Sequence, residues 1–301
     1  MRPILRRPSF VSAAARLFTD MKLFTFFARR FVAGDTIEEA LEVVKNLNSR
    51  GIKATLDYLG EDCSRENDAR RSCEEYVALL QKIAEAKVDS NVSLKLSQLG
   101  FGFDEKLTRE LLEKILDQAA QNDNFVRIDM EGSALTQRTL DLFKDVFLKR
   151  KNVGIVIQAY LRRSEKDIQD LVSLGARVRL CKGAYKEPDS VAFPDKRDVD
   201  LNYDHLAEML LKAPLPAFAT HDDGRIASAV SAAEKQGISK DRYEIQMLYG
   251  LRSKRWDDLR SKGHSVRIYI PYGTHWFPYF YRRLRERKEN LLFVAKNLFN
   301  W

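Results

Sequence analysis

The 301-residue sequence has little cysteine and histidine, and their spacing fits no metal site. The three cysteines are Cys63, Cys73 and Cys181, and neither a CxxC nor an HxxxH pattern is present. An odd number of cysteines without ligand spacing favours reduced thiols in an intracellular compartment. We therefore expect no bound metal.

The sequence also lacks a long apolar run. A membrane-spanning helix needs about 20 apolar residues, whereas the apolar run at residues 23–27 is soon followed by Arg29 and Arg30. The composition, 45% hydrophobic and 31% charged, is typical of a soluble globular protein. Because no low-complexity linker follows residue 35, we predict one domain over residues 31–301, preceded by a basic helical segment over residues 1–30.

The net charge of +8 is concentrated near the N-terminus. Residues 1–34 contain seven Lys or Arg and one acid, a net +6, so the rest of the chain carries only +2. This distribution gives no basic face across the molecule, so we expect no nucleic-acid partner. The basic segment fits a helical cap on the fold, which we favour, but also a helix on an anionic membrane surface or a transit peptide. We expect a cytoplasmic protein, with peripheral contact to the inner membrane face left open, or a mitochondrial one if the source is eukaryotic.

Short apolar runs rich in β-branched residues alternate with longer amphipathic stretches. In residues 37–49, apolar side chains recur at the i, i+4, i+7 spacing of a helix with one buried face, between an N-cap at Thr36 and a stop at Gly51. We predict strands over residues 54–59, 92–96, 126–130, 154–159, 178–181, 217–220, 244–247 and 266–270. We predict helices over residues 37–49, 74–86, 108–120, 137–148, 166–174, 201–211, 225–235 and 254–259, then a further helix over 277–288 and an apolar segment at 291–299.

This alternation of strands and helices predicts an α/β protein with a (β/α)8 TIM-type barrel. The length is near the roughly 250 residues typical of that fold. A doubly wound open sheet is the competing architecture, but the GxGxxG fingerprint that usually follows its first strand is missing.

Charged residues cluster at the predicted C-terminal ends of the strands, where barrel enzymes carry their chemistry. An excess of cations at one end of the barrel is energetically unfavourable unless a bound anion balances their charge. The adjacent guanidinium groups of Arg282 and Arg283 favour a bidentate clamp on a carboxylate or phosphate. A solvated helix face is the ordinary interpretation of such a pair, but its place directly after the eighth strand favours the clamp. The cluster consists of Lys95, Arg179, Lys182, Arg282 and Arg283, partly balanced by Glu61 and Asp129.

Two of three further strand ends allow two interpretations each. Residues 182–185 fit either a tight turn or the close approach of a planar or phosphorylated ligand to the backbone. Thr220 and His221 fit either a ligand contact or a helix N-cap. Gln158, on a buried strand, needs a hydrogen-bond partner, which the polar edge of a planar ring ligand would supply.

Seven segments, taken together and in order, resemble proline dehydrogenases, with the small single-function bacterial type most similar. The resemblance extends from about residue 31 to the C-terminus, and residues 1–30 resemble the family only loosely. It implies a distorted (β/α)8 barrel with N-terminal helices, noncovalent FAD, and an extra C-terminal helix that caps the active site. The segments are LKLSQLG (94–100), VRIDMEGS (126–133), VIQAY (156–160), RLCKGAYKEP (179–188), FATHD (218–222), IQMLYG (245–250) and IPYGTHWFPYFYRRLRER (270–287).

The resemblance also implies roles for individual residues. Asp129 and Arg179 match the catalytic acid and base pair, and Glu61 matches an acid that gates the site with Arg282. The tyrosine at 269 implies proline as substrate rather than 4-hydroxyproline. Matches to substrate-binding positions are Lys95, Ala184, Leu248, Tyr269, Tyr279, Arg282 and Arg283. Matches to flavin contacts are Met130, Gln158, Arg179, Lys182, Gly183, Ala184, Tyr185, Thr220 and His221.

The reaction implied is hydride transfer from proline C5 to flavin N5, giving Δ1-pyrroline-5-carboxylate in the first step of proline catabolism. Electrons would pass to a membrane quinone, and a separate pyrroline-5-carboxylate dehydrogenase would take the product. Two alternatives stay open from the residues alone. One is a Schiff-base lyase or aldolase with Lys95 or Lys182 as the amine. The other is a basic membrane-surface binding protein with a catalytically silent barrel.

Overall fold

The structure is a computed structural model that describes residues 30–60 and 62–276. In this part of the chain each strand is preceded by a helix. The elements are α1 (Ile37–Ser49), β1 (Lys53–Tyr58), α2 (Glu66–Ala86), β2 (Ser90–Leu94), a 3₁₀ helix (Leu96–Leu99), α3 (Glu105–Gln121), β3 (Val126–Ile128), α4 (Ser133–Lys149), β4 (Val153–Gln158), α5 (Ser164–Ser173), β5 (Val178–Cys181), α6 (Lys196–Leu210), β6 (Ala217–Ala219), α7 (Asp223–Lys235), β7 (Glu244–Leu248), α8 (Ser253–Ser261) and β8 (Ser265–Tyr272).

The eight strands form a closed parallel barrel in chain order, which confirms the predicted (β/α)8 fold. Closure is made by β1, which pairs with β2 on one side and with β8 on the other; Ala54 lies opposite Ser90 and Ile268. A closed sheet has no unpaired edge, so every strand is hydrogen-bonded on both sides. All eight C-terminal ends therefore meet at one rim, which we call the mouth.

The apolar core lies between the strands and the helices, while the barrel interior is polar. In β1, Ala54 and Leu56 belong to the apolar core, whereas Thr55 donates a hydrogen bond to Asn91 of β2 at 2.6 Å. Asp57, the next alternate residue, pairs with Lys95. Because side chains alternate across a strand, one face of each strand packs on helices and the other faces the interior. Barrels of this type are more often filled by Val, Ile and Leu.

Helix α1 fills the outer groove between the first and last strands. It contacts both β1 and β8, and its buried face consists of Ala40, Leu41, Val44 and Leu47. In a regular barrel the helix that follows β8 packs against the outside of these strands. The helix before β1 occupies that place here.

Several helices begin earlier than the sequence predicts. Helix α2 begins at Glu66 rather than at residue 74, and α6 begins at Lys196 rather than at residue 201. Their first turns carry charged residues on nearly every position, so the apolar periodicity starts only deeper in the helix. Conversely, β3 and β6 are only three residues long, because Asp129, Met130 and Thr220 lie beyond the paired part of each strand.

Other predictions fall partly outside the described residues. These are the basic segment over residues 1–30, of which only Arg30 is described, the helix over residues 277–288 and the apolar segment at 291–299. Among the described helices, none is long and apolar enough to cross a membrane.

Thr36 should contribute measurably to stability through the capping box of α1. Its Oγ1 accepts from the Glu39 amide at 3.3 Å, and Glu39 Oε2 accepts from the Thr36 amide at 3.3 Å. Loss of such a cap costs about 1 kcal/mol, so we expect Thr36→Ala to lower Tm by about 2–4 °C in a thermal melt. Thr36→Ser keeps the hydroxyl and should melt near the wild type; a Ser variant as unstable as the Ala variant would contradict the role of the cap.

Candidate functional site

A buried ion pair lies at the mouth of the barrel. Asp129, just past β3, accepts hydrogen bonds at Oδ1 from Arg179 Nη1 at 2.9 Å and from Ser93 Oγ at 2.7 Å. Its second oxygen, Oδ2, accepts from the Tyr269 hydroxyl at 2.7 Å. The side chains of Arg179 and Asp129 are only 6% and 13% exposed. Three different strands, β2, β5 and β8, therefore converge on one carboxylate.

Tyr269 is held as a neutral donor in this cluster. Burial raises the pKa of its hydroxyl well above the usual value, and the negative charge of Asp129 raises it further. The Arg179 guanidinium carbon lies 5.2 Å from the centre of the Tyr269 ring, in the range of a cation–π contact. The tyrosine thus fixes both members of the ion pair while it keeps its proton.

A chain of hydrogen bonds from residues deeper in the barrel orients Arg179. Its Nε donates to Gln246 Oε1 at 2.6 Å, and Gln246 Nε2 donates to Glu244 Oε2 at 2.8 Å. Arg267 in turn donates to both oxygens of Glu244, at 2.9 and 3.0 Å. Gln246 donates through its amide nitrogen to Glu244 and accepts through its carbonyl oxygen from Arg179, which can only donate. The orientation of the guanidinium is therefore set by residues one and two layers deeper.

Sequence reasoning missed this supporting layer, which consists of Ser93, Glu244, Gln246 and Arg267. The signal was present, because Glu244, Gln246 and Leu248 alternate along β7 in the same way as Arg267 and Tyr269 along β8. A half-exposed strand would show the same pattern. Only closure of the barrel places these side chains in a buried interior.

Lys95 stands beside the ion pair at the end of β2. The Asp129 amide donates to the carbonyl of Leu94 at 2.8 Å, which brings the two chain segments side by side. Lys95 is 9% exposed, and its Nζ lies 3.6 Å from Oδ2 of the fully buried Asp57. Asp57 is a further acidic residue of the mouth to which the sequence reasoning gave no role.

Lys182 lies between two carboxylates. Its Nζ donates to Asp222 at 2.8 Å and to Asp200. Burial acts to raise the pKa of Asp222, but the hydrogen bond and charge of Lys182 outweigh it and hold that pKa well below its usual value. Asp200 lies 18 residues after Lys182 on α6, so spacing alone did not indicate the pairing. The contact of Lys182 with a flavin stays a prediction.

The turn after β5 requires glycine at position 183. Gly183 has φ +104°, and a Cβ there would lie 2.0 Å from Cδ1 of the Tyr160 ring. This close packing favours the tight-turn interpretation of residues 182–185. Ala184 is exposed and Tyr185 is half-buried.

Three predicted ligand contacts at the ends of β6 and β7 also have structural roles. Thr220 Oγ1 accepts from the Asp222 amide at 3.1 Å, and Asp222, rather than Thr220 or His221, is the N-cap of α7. His221 Nε2 accepts from the Leu248 amide at 3.1 Å. This bond requires the Nδ1–H tautomer for a neutral ring. Leu248, at the end of β7, is half-buried.

Gln158 is the predicted residue with an unsatisfied atom. Its Nε2 donates to the carbonyl of Met130 at 3.4 Å, while its buried Oε1 has no hydrogen-bond partner among the described residues. Nη2 of Arg179 is likewise buried without a partner in the described structure. The site therefore offers one unsatisfied acceptor and one unsatisfied donor. Of the remaining predicted site residues, Glu61, Tyr279, Arg282 and Arg283 lie outside the described residues.

Comparison with known proteins gives consistent matches over nearly the whole chain. Residues 40–296 match the family model described as proline dehydrogenase. The chain is 44% identical over 272 residues to proline dehydrogenase 1 of Bacillus subtilis, covering 90% of each chain. It is 38% identical over 277 residues to proline dehydrogenase of Deinococcus radiodurans, covering 90% of this chain and 89% of that one.

A solved structure with the same fold is longer. Proline utilization A from Bdellovibrio bacteriovorus, inactivated by N-propargylglycine, superposes with a TM-score of 0.82 at 27% identity. The match covers 91% of this chain and 33% of that one. The chain thus spans about a third of the length of that protein.

The ionised carboxylate of Glu244, which supports Arg179 through Gln246, should make the stability of the folded protein sensitive to acid. Burial acts to raise the pKa of Glu244, but the charge and hydrogen bonds of Arg267 outweigh it and lower that pKa to about 2. A lowered pKa in the folded state adds stability that is present above the unfolded value, about 4.3, and is lost as pH falls towards 2. Glu244→Gln leaves Arg267 buried without its partner, at a cost of about 3–5 kcal/mol.

We expect Glu244→Gln to melt well below the wild type at pH 7, with a difference in Tm that narrows as pH falls below about 4.3. Thermal melts between pH 7 and pH 3 would measure this. The matched control is Glu208→Gln, since Glu208 is exposed. A difference in Tm that stays constant down to pH 3 would contradict the lowered pKa.

Proposed function

The chain belongs to the proline dehydrogenase family, and we propose that it oxidises L-proline to Δ1-pyrroline-5-carboxylate with FAD as hydride acceptor. This is the first step of proline catabolism. The observation that carries the proposal is the buried cluster of Asp129, Arg179 and Tyr269 at the mouth. A charged pair held this rigidly, with one donor of Arg179 still unsatisfied, is suited to bind a polar ring that changes its charge.

The unsatisfied polar atoms of the mouth fit the edge of a flavin. An isoalloxazine presents both an N–H donor and several nitrogen and oxygen acceptors. Oε1 of Gln158 needs a donor, and Nη2 of Arg179 needs an acceptor. A buried polar atom without a partner is costly, so a ligand with this mixed edge would stabilise both residues. Bound there, FAD supplies the capacity to accept a hydride.

For the substrate, we assign the carboxylate to Lys95 together with Arg282 and Arg283. Support comes from the course of the chain after β8. Trp276 packs against Val32 and Leu59, and Leu59 lies just past the C-terminal end of β1. Because α1 already occupies the groove beside β8, we assign the predicted helix over residues 277–288 to the mouth, as the capping helix. Tyr279 would then close the pocket opposite Tyr269, with Glu61 and Arg282 as its gate.

The protein's contribution to the reaction is orientation and charge. The cations around the carboxylate favour the unprotonated ring nitrogen, because a positive field disfavours the ammonium form. The lone pair of that nitrogen is what forms the imine as C5 loses its hydride. Arg179 stabilises the negative charge that develops at the acceptor. Asp129 keeps Arg179 and Tyr269 in place, and Met130, Thr220, His221 and the turn at residues 182–185 line the cofactor side.

Two partners follow from this chemistry as further parts of the proposal. The reduced cofactor must be reoxidised, and we assign that step to a membrane quinone, reached by peripheral contact of a cytoplasmic protein. The product is an imine that needs another oxidation, which we assign to a separate pyrroline-5-carboxylate dehydrogenase. The Schiff-base lyase has less support, because Lys182 donates to two carboxylates in an arrangement typical of a structural ammonium group.

The purified full-length protein should be yellow, and anaerobic addition of L-proline should bleach its flavin absorbance. The control is D-proline, which presents its carboxylate and C5 with the opposite hand and should bleach it far more slowly. A colourless preparation that takes up no FAD would overturn the proposal. Borohydride trapping of a carbonyl substrate would instead favour the lyase, and liposome binding by a colourless protein would favour the membrane-binding alternative.

Arg283→Met should raise the KM for proline about ten- to hundredfold while FAD stays bound. The reason is the loss of a charge-assisted hydrogen-bond pair worth about 1.5–3 kcal/mol. Steady-state kinetics on flavin-loaded protein would measure it. Arg283→Lys keeps the positive charge but loses the bidentate guanidinium geometry. Its KM for proline should therefore lie between that of the wild type and that of Arg283→Met. A flavin-loaded Met variant with the wild-type KM would remove Arg283 from the clamp.

A further inference from the structure

A polar cavity lies at the opposite end of the barrel from the mouth. Its volume is about 430 Å³, and residues that precede or begin the strands line it, among them Phe125 before β3 and Arg177 before β5. Asn122 and Arg267 also line it. The proposed reaction uses none of these residues for binding or chemistry, so the cavity needs its own explanation.

Positive charge exceeds negative charge in the barrel layer next to this cavity. Arg127, Arg177 and Arg267 lie there, and Glu244 is the buried carboxylate among them. Arg267 already holds both oxygens of Glu244. In the described chain, Arg127 donates to the backbone carbonyls of Ile155 and Arg177 at 3.5 and 3.3 Å and forms no ion pair. The excess positive charge lacks a buried anion.

Buried donors without acceptors lie in and above the same cavity. Nε of Arg177 and Nδ2 of Asn122, which both line it, have no hydrogen-bond partner among the residues that the structure describes. Nε of Arg127, a residue that is only 2% exposed, also has no hydrogen-bond partner among the described residues. All three atoms are donors, so what they lack is an acceptor. Burial is the main reason that the pKa values of Arg127 and Arg177 are lowered, and a bound anion would offset this cost.

The surroundings of Arg177 restrict how such an anion would bind. The Phe125 ring covers one face of its guanidinium, with the carbon 4.3 Å from the ring centre. The guanidinium can therefore hydrogen-bond only along its edge. The spacing of the N–H groups along that edge matches the spacing of the oxygens of a phosphate or carboxylate. Asp89 and Asp123 also line the cavity, but both are exposed, and Asp89 lies 3.7 Å from Arg267. They leave the inner donors unsatisfied.

We propose that this cavity is a binding site for a small oxyanion, a phosphate group or a carboxylate, held by Arg177 and Asn122 at the end of the barrel opposite to the mouth. Binding there would stabilise the N-terminal ends of β3 and β5 and the helices that precede these strands. The site is separate from the substrate carboxylate clamp and does not depend on it.

Thermal unfolding of the flavin-loaded full chain tests the proposal. Inorganic phosphate should raise Tm above that in chloride of equal ionic strength, by about 3 °C at about ten times its Kd. Succinate in place of phosphate distinguishes a carboxylate from a phosphate ligand. Arg177→Met should abolish the rise. Arg242→Met, which removes an exposed cation just before β7, should keep it.

Two further variants keep the test decisive. If Arg177→Met does not fold, Asn122→Asp replaces the unsatisfied donor by an isosteric acid, and it should also abolish the rise. Lys95→Met removes a cation of the mouth and should retain it, which separates this cavity from the clamp. The proposal is overturned if neither anion raises Tm above chloride, if the rise persists in Arg177→Met or Asn122→Asp, or if Lys95→Met alone abolishes it.

Discussion

Most of the charged groups inside the barrel are held as pairs, and this pairing organises the mouth. Asp129 and Arg179 are both nearly buried, so each compensates the charge of the other. Breaking such a pair by removing one partner is far more costly than its net contribution suggests. Arg179 depends further on Gln246, and Gln246 on the Glu244–Arg267 pair. The geometry at the mouth is thus determined by residues that no substrate reaches.

This polar interior is possible because the apolar core lies elsewhere. Leu56, Ile128, Ile155 and Ile268 are buried on the outer face of the strands, against the helices. That layer supplies the hydrophobic stabilisation, in proportion to the apolar area removed from water. The inner faces can then carry acids, amides and arginines, and polar groups lie at both ends of the same barrel.

The sequence predicted the barrel and the rim residues for the same reason. Eight apolar runs alternate with helical patterns, and in this fold the C-terminal ends of the strands meet at one rim. That geometry brings Lys95, Asp129, Arg179 and Tyr269 together. The supporting residues were not predictable, because Glu244 and Arg267 stand at alternate strand positions that a solvated face would also show. Asp200 was missed as the partner of Lys182 because a helix brings the two together across 18 residues. Helix starts were placed late where the first turns are charged.

The seam between β1 and β8 has a consequence for synthesis of the chain. It joins segments more than 200 positions apart, since Leu56 lies opposite Ile270. The segment before α1 is tied to the same strand, because the Ala33 amide donates to the Pro271 carbonyl at 2.9 Å. A ribosome releases the first strand long before the last. Until then the first strand keeps an open edge, which is prone to pair with other chains. Nascent chains whose synthesis stalls before the final strand should therefore need chaperones to prevent their aggregation.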